Sequence, residues 1–171
     1  CDEIGRNGFR KIILVNGHGG NSEFINFFMK TLLMEKKNYY VYFAKETFNM
    51  YGAHLKDVLK SMKTTLWGHA CEVESSSTMA VVPRLVKKSY ISGKPFPDMK
   101  MLEHLEGIET ALDWYSHFPE HVVGDASHAS SAKGDKIINY QVGYLVDVIK
   151  RVKKDTVFPK LYNNYFSESG T

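Results

Sequence analysis

The reading of this 171-residue chain turns on residues 11–22, KIILVNGHGGNS, and on the run from Glu23 to Ala44. After Lys11, the residues Ile12, Ile13, Leu14 and Val15 run without a polar interruption, the pattern of a strand buried on both faces in a parallel sheet. Asn21 or Ser22 then caps a helix whose first turn holds Glu23. Ile25, Phe28, Met29, Leu32 and Leu33 recur at helical spacing, to about Lys36. Tyr39 to Ala44, YYVYFA, is the next strand. Strand, helix, strand in this rhythm is a βαβ unit, so the chain reads as an α/β layered fold.

Upstream of this unit, Ile4 to Phe9 resembles the last turn of a helix ending at Gly8, and the first residue is Cys1. The sequence therefore reads as one that enters its fold midway. Downstream, Glu46 to Ser61 reads as helical in pieces around Gly52, and Ala70 to Val82 as a helix limited by Pro83. Gly93 to Lys100, with Pro95 and Pro97, is a loop, and Met101 to Trp114 has loose helical character. Val122 to Asp125 is a short extended piece. Ser131 to Lys154 is the clearest helix, with Ile138, Gln141, Val142, Leu145, Ile149 and Val152 on one face. The Asn-, Ser- and Tyr-rich tail from Asp155 is expected to wrap the surface or a neighbour. No repeat, low-complexity segment or linker interrupts the chain, so residues 1–171 read as a single domain.

Composition is that of an ordinary globular protein, 43% hydrophobic and 24% charged, with a net charge of +3. The basic residues are scattered or lie in helix-like runs such as Lys150 to Lys154, which argues against nucleic acid as a partner. Cys1 and Cys71 make no disulfide framework, and a reducing, cytoplasmic setting fits. No apolar run approaches the ~18 residues of a membrane span.

Two stretches carry candidate chemistry. His18 sits between glycines just past a strand end and before a helix, where open α/β sheets place their ligands. The glycines let a substrate or metal approach, and the N–H groups of Gly19 and Gly20 can face an anion. The plainer alternative is a tight turn with an exposed histidine. The second stretch, residues 67–77, WGHACEVESSS, brings His69, Glu72 and Glu74 close to Trp67 and Cys71. His69 and Glu72 share one face if the helix has begun by then. The plainer reading is a charged helix start, its carboxylates favoured by the helix dipole. Two histidines and two carboxylates near strand ends match the donor types of a zinc or manganese hydrolase.

NGHGGN and, further along, GHACEVESS together resemble the creatininase family, the creatinine amidohydrolases. A third stretch, residues 124–134, GDASHASSAKG, is similar to the family's Gly-Asp-Pro…Ala…Lys-Gly segment before its last long helix. The resemblance spreads over nearly the whole chain. It implies a three-layer α/β sandwich with a mostly parallel sheet, incomplete at its N-terminus, because the family's other ligands lie in an upstream segment with no counterpart here. It implies a metal-dependent amidohydrolase that breaks a C–N bond of a cyclic or linear amide, using zinc or manganese, with two ions in a complete enzyme. By position, His18 and Glu74 would be metal ligands. His69 would contact substrate or shuttle a proton, and Glu72 would orient it or the attacking water. Gly19, Gly20 and Trp67 would line the substrate. Gly20 stands where creatininases proper carry a ligating Glu, which points away from creatinine itself. The expected partners are a small amide substrate and further copies of the chain, with no nucleic acid and no membrane.

Two other readings compete with this one. A thiol hydrolase using Cys71 with His69 is disfavoured by their spacing of two residues. A non-catalytic, oligomerising fragment with an incomplete metal site is the main alternative.

Overall fold

A computed structural model describes residues 1–48, 56–64, 68–91, 94 and 96–168. The chain divides into two compact units, Cys1–His54 with Gln141–Thr171, and Leu55–Tyr140.

The first unit is built on the βαβ motif. Strand β1 (Lys11–Val15) pairs in parallel with β2 (Tyr40–Ala44), Lys11 opposite Tyr40 and Val15 opposite Ala44. Helix α1 (Asp2–Arg6) precedes β1, with Gly8 between them at a left-handed φ of 94°. Helix α2 (Ser22–Thr31) makes the crossover. It stops short of Lys36 because the N–H groups of Leu33 and Met34 reach carbonyls only three residues back, on Lys30 and Thr31, which tightens and ends the last turn.

Strand alternation sorts the side chains onto two faces. Ile12, Tyr39 and Val41 form one buried cluster, with Cys1, Leu14, Met29 and Leu32 packed against it. Ala44, Val148 and Val152 form another, joined by Ile13, Tyr42, Tyr144 and Leu145. The second cluster draws on helix α6 (Ser131–Lys154). Within this unit the layers are therefore α2, sheet and α6.

The bounds of α6 agree with the sequence reading, but its inner face is turned. Ile137, Gln141, Val148 and Val152 are buried, while Val142 and Ile149 are exposed. The C-terminal end of α6 is held by Lys11, whose Nζ donates to the carbonyls of Val152 at 2.7 Å, Lys153 at 3.1 Å and Asp155 at 2.6 Å. The Val152 carbonyl also accepts the Asp155 N–H at 3.3 Å, and Lys11 adds a charged donor to this helix end.

The tail is not the wrapping segment expected from its composition. It forms helix α7 (Val157–Glu168), with Tyr162 and Phe166 buried. Asp155 starts it, its Oδ1 accepting from the Val157 and Phe158 N–H groups while its Oδ2 accepts the Tyr42 hydroxyl. Tyr40 of β2 meets the edges of Phe158 and Tyr162, and the Tyr162 hydroxyl accepts the Lys37 N–H. Polar Asn163 and Ser167 mask the periodicity of these aromatic residues.

The second unit holds α3 (Lys56–Leu59), α4 (Glu72–Val81), α5 (Asp113–His117) and the start of α6. Of the pieces expected between Glu46 and Ser61, a 3-10 turn at Lys45–Phe48 and α3 are observed, and Gly52 lies outside the described residues. The loose helix over Met101 to Trp114 resolves into a 3-10 turn at Glu103–Leu105 and the start of α5, separated by Gly107 at φ 77°. Helices α4 and α6 touch backbone to side: a Cβ on Gly134 would lie 1.9 Å from the Ser76 carbonyl oxygen. Only glycine permits that approach. The Ser130 N–H donates to Ser76 Oγ and Ser131 Oγ to the Met79 carbonyl, closing the same contact. Among the described residues no helix is long and apolar enough to cross a membrane.

Candidate active site

The residues singled out in the sequence divide between the units, His18, Gly19 and Gly20 in the first and His69, Glu72 and Glu74 in the second. Trp67 lies outside the described residues.

In the first unit the organiser is Asn16, which is buried. Its Oδ1 accepts the His18 N–H at 3.1 Å and the Asn21 side-chain amide at 3.3 Å, while its Nδ2 donates to Ser22 Oγ at 3.2 Å. One side chain thus fixes the path from β1 into α2. His18 caps a 3-10 turn at Gly19–Asn21, its Nδ1 accepting the Gly20 N–H at 3.2 Å. That bond uses the Gly20 N–H, which the sequence alone offers to an anion. Nor do the glycines serve a left-handed turn, since none of Gly17, Gly19 and Gly20 has a positive φ. Their effect is clearance: a Cβ on Gly17 or Gly19 would meet nothing within 4 Å. His18 is exposed, and its Nε2 takes no protein partner among the described residues.

In the second unit, helix α4 begins only at Glu72, after Ala70 in a left-handed conformation at φ 60°. His69 is therefore off the helix and shares no face with Glu72. The carboxylate beside His69 is that of Glu74, with Oε2 3.9 Å from His69 Nδ1 and both side chains a little over two-fifths exposed, at 45% and 43%. Glu74 Oε2 also accepts the Ala70 N–H at 2.6 Å, a helix-start cap from the first turn. The His69 carbonyl accepts from both Val123 and Gly124 N–H at 3.0 Å, which ties the turn to the start of the third motif. Gly68 allows this closeness, since a Cβ there would lie 2.6 Å from Val123 Cγ1.

Glu72 points elsewhere. It is 0% exposed, its Oε2 accepting the Lys63 and Thr64 N–H groups at 2.9 Å and its Oε1 paired with the Lys133 ammonium. Burial pushes its carboxyl up, but Lys133 and the two N–H groups outweigh that and hold it below the usual glutamate value. Lys133 Nζ also donates to the His128 carbonyl at 2.8 Å. Cys71, the N-cap of α4, is fully buried. A buried thiol of this kind is ordinarily inert.

Sequence reasoning passes over Asn16, Lys133 and Gly134 as functional positions. All three lie inside the quoted motifs, but their partners are set by tertiary contacts. It also passes over Trp114, whose ring meets His69 at a centroid distance of 5.7 Å. No sequence signal joins residues so far apart.

For a metal, the donors fit in kind. His18 imidazole and Glu74 carboxylate are ligands that suit zinc or manganese. Among the described residues no group of three His, Cys, Asp or Glu side chains converges on one point.

Comparison with solved structures places this architecture. A Bacteroides fragilis NCTC 9343 protein assigned to the creatinine amidohydrolases matches at a TM-score of 0.68 and 22% identity, over 91% of this chain and 58% of that one. A creatinine amidohydrolase (creatininase) matches at 0.64 and 22%, over 91% of this chain and 61% of the other. A creatininase designated Mn matches at 0.62 and 23%, over 88% and 59%. At this identity the likeness shows the fold, an α/β fold of the creatininase type, and the chain spans about three-fifths of the length of these relatives. No curated protein matches the chain significantly. The family model for creatininase, creatinine amidohydrolase, matches residues 1–149. On that match, which takes in all three motifs, the chain belongs to the creatininase family.

Proposed function

We propose that the chain, read as one domain, carries part of the active centre of a metal-dependent amidohydrolase that breaks a C–N bond in a small cyclic or linear amide. The observation that carries this reading is the His69–Glu74 pair: a half-exposed imidazole held by its own carbonyl, with a carboxylate 3.9 Å away. With Nδ1 turned to Glu74, His69 Nε2 is the nitrogen available to pass a proton to the departing amide nitrogen. Glu74 keeps Oε2 on the Ala70 N–H and offers Oε1 as a metal donor. By its place in the first motif, His18 is likewise assigned as a metal donor. When bound, a divalent ion polarises the amide carbonyl and makes water a better nucleophile at neutral pH. Zinc or manganese is supported by creatininase structures designated Mn and Zn-Zn.

Glu72 takes a changed part in this reading. With both oxygens engaged and no exposure, it is a positioning residue that fixes the start of α4 rather than a group that meets substrate. Gly19, Gly20 and Trp67 are assigned to the substrate side. Unpaired Cys1 and Cys71 support a reducing, cytoplasmic setting. Exposed Phe24 and Phe27 on α2 support assembly of several copies.

The test measures bound zinc and manganese by elemental analysis, and hydrolysis of an amide panel, for the complete protein and three variants. His18→Ala and Glu74→Gln should lose metal and activity together. His69→Ala should keep its metal and lose about 10²–10⁴-fold in turnover. Full turnover in His69→Ala, or full metal content in both ligand variants, overturns the assignment.

A further inference from the structure

We infer that Trp114 is a substrate-binding residue, the wall beside His69 on which a flat, delocalised amide stacks. The inference rests on the proposed role of His69. Trp114 lies on α5, and its ring meets that of His69 edge to face, at 5.7 Å between centroids and 75° between planes. The indole is fixed from behind. Its Nε1–H donates to His121 Nδ1 at 3.0 Å, and the Phe118 ring lies 5.3 Å from it. His121 holds this position with a φ of 56°, a left-handed backbone uncommon for a residue with a side chain. The turn that carries it is closed by the Phe118 N–H on the Trp114 carbonyl and the His121 N–H on the Phe118 carbonyl.

A tryptophan whose N–H is already satisfied has no polar reason to stay near water. Trp114 is nonetheless 46% exposed, next to an imidazole that is 45% exposed. The fold has thus immobilised a large apolar ring without burying it, at the edge of the proposed proton-transfer group. Immobilised aromatic surface of this kind binds flat partners at little entropic cost, by stacking or by attraction of a delocalised cation to the ring face. Amides are flat because resonance holds the C–N bond in plane. Cyclic ureides, lactams and amidine-bearing rings extend that flat surface, and these are the substrates Trp114 selects over short acyclic amides.

The chain has two tryptophans, so a ¹H–¹⁵N spectrum of the complete protein shows two indole N–H signals from it. The signal lost in Trp114→Phe is that of Trp114. Titration with hydantoin should move the Trp114 signal saturably, and acetamide should move it far less. Hydantoin should bind about tenfold more weakly to Trp114→Ala, with Trp114→Phe restoring most of the affinity. A Trp114 signal that hydantoin does not move, or equal affinity of wild type and Trp114→Ala, overturns the inference. His69→Asn separates the two readings. Hydrolysis retained there defeats the role of His69 alone, while the hydantoin titration of the same variant still decides the role of Trp114.

Discussion

Replacing Lys133 by Met should destabilise the protein by about 3 kcal/mol, and removing its partner as well should restore part of that loss. Glu72 is fully buried and takes three donors: two backbone N–H groups on Oε2 and the Lys133 ammonium on Oε1. Without Lys133, Oε1 keeps no donor and the buried charge has no counter-ion. Removing one partner of a buried pair typically costs about 3–5 kcal/mol. Two features place this pair at the low end of that range. The N–H groups on Oε2 remain, and the Lys133 side chain is 18% exposed, so water already screens part of the attraction. A chain of this size loses about 2–4 °C of melting temperature per kcal/mol, so the midpoint should fall by roughly 6–12 °C. Glu72→Gln leaves the lysine near water and should cost less, about 1–2 kcal/mol. The double variant Glu72→Gln/Lys133→Met should fall short of the sum by about 1–3 kcal/mol, because no uncompensated buried charge remains. Urea unfolding of the four proteins, monitored by far-ultraviolet circular dichroism, gives the cycle. Additive costs, or a Lys133→Met variant within about 0.5 kcal/mol of wild type, would show that the pair does not hold α6 to α4.

The same contact predicts that Gly134→Ala destabilises by at least about 2 kcal/mol in urea unfolding, although alanine is the better helix former, because its Cβ has no room beside the Ser76 carbonyl. Lys11→Met should cost about 1–3 kcal/mol, as the carbonyls at the end of α6 lose their shared donor; amide exchange in the last turn of α6 should quicken while that of α4 stays unchanged. Stability should also depend on pH through Glu72. Its carboxyl is held below its ordinary value of 4.5, so at mildly acidic pH the folded state binds fewer protons than the unfolded one. The stabilisation is complete above about pH 4.5 and is lost as pH falls through the folded value. Glu72→Gln should therefore flatten the acid limb of the stability curve measured between about pH 3 and pH 6.

The parts of this fold that are legible in the sequence are those in which a residue's neighbours along the chain decide its place. Lys11–Val15 reads as a buried strand because its apolar run is continuous, and β1 has those same bounds. Ser131–Lys154 reads as a helix from its period, and α6 matches it at both ends. Which side of α6 faces inward is not legible. That is fixed by Gly134 against Ser76 and by Lys11 at the far end, contacts that no periodicity encodes. Helix α7 escapes a sequence reading for a related reason. Its composition is polar, and what makes it fold is a line of aromatic residues meeting Tyr40 and Tyr42 on the sheet.

The candidate site divides in the same way. Residue types and their order are enough to pick out His18, His69 and Glu74, but not to say which carboxylate serves which partner. Glu72 and Glu74 stand two apart at one helix start, and spacing alone pairs His69 with Glu72. The left-handed turn at Ala70 reverses that pairing, because it delays the helix to Glu72 and lets Glu74 fold back over the Ala70 N–H. Glu72 is then free to turn inward to Lys133. This gives the third motif a physical meaning. At its start, Gly124 and the adjoining Val123 hold the His69 carbonyl, and its last two residues, Lys133 and Gly134, neutralise Glu72 and admit α6 against α4. The motif sets the position of the turn that carries His69, so its substitution should act first on His69 geometry.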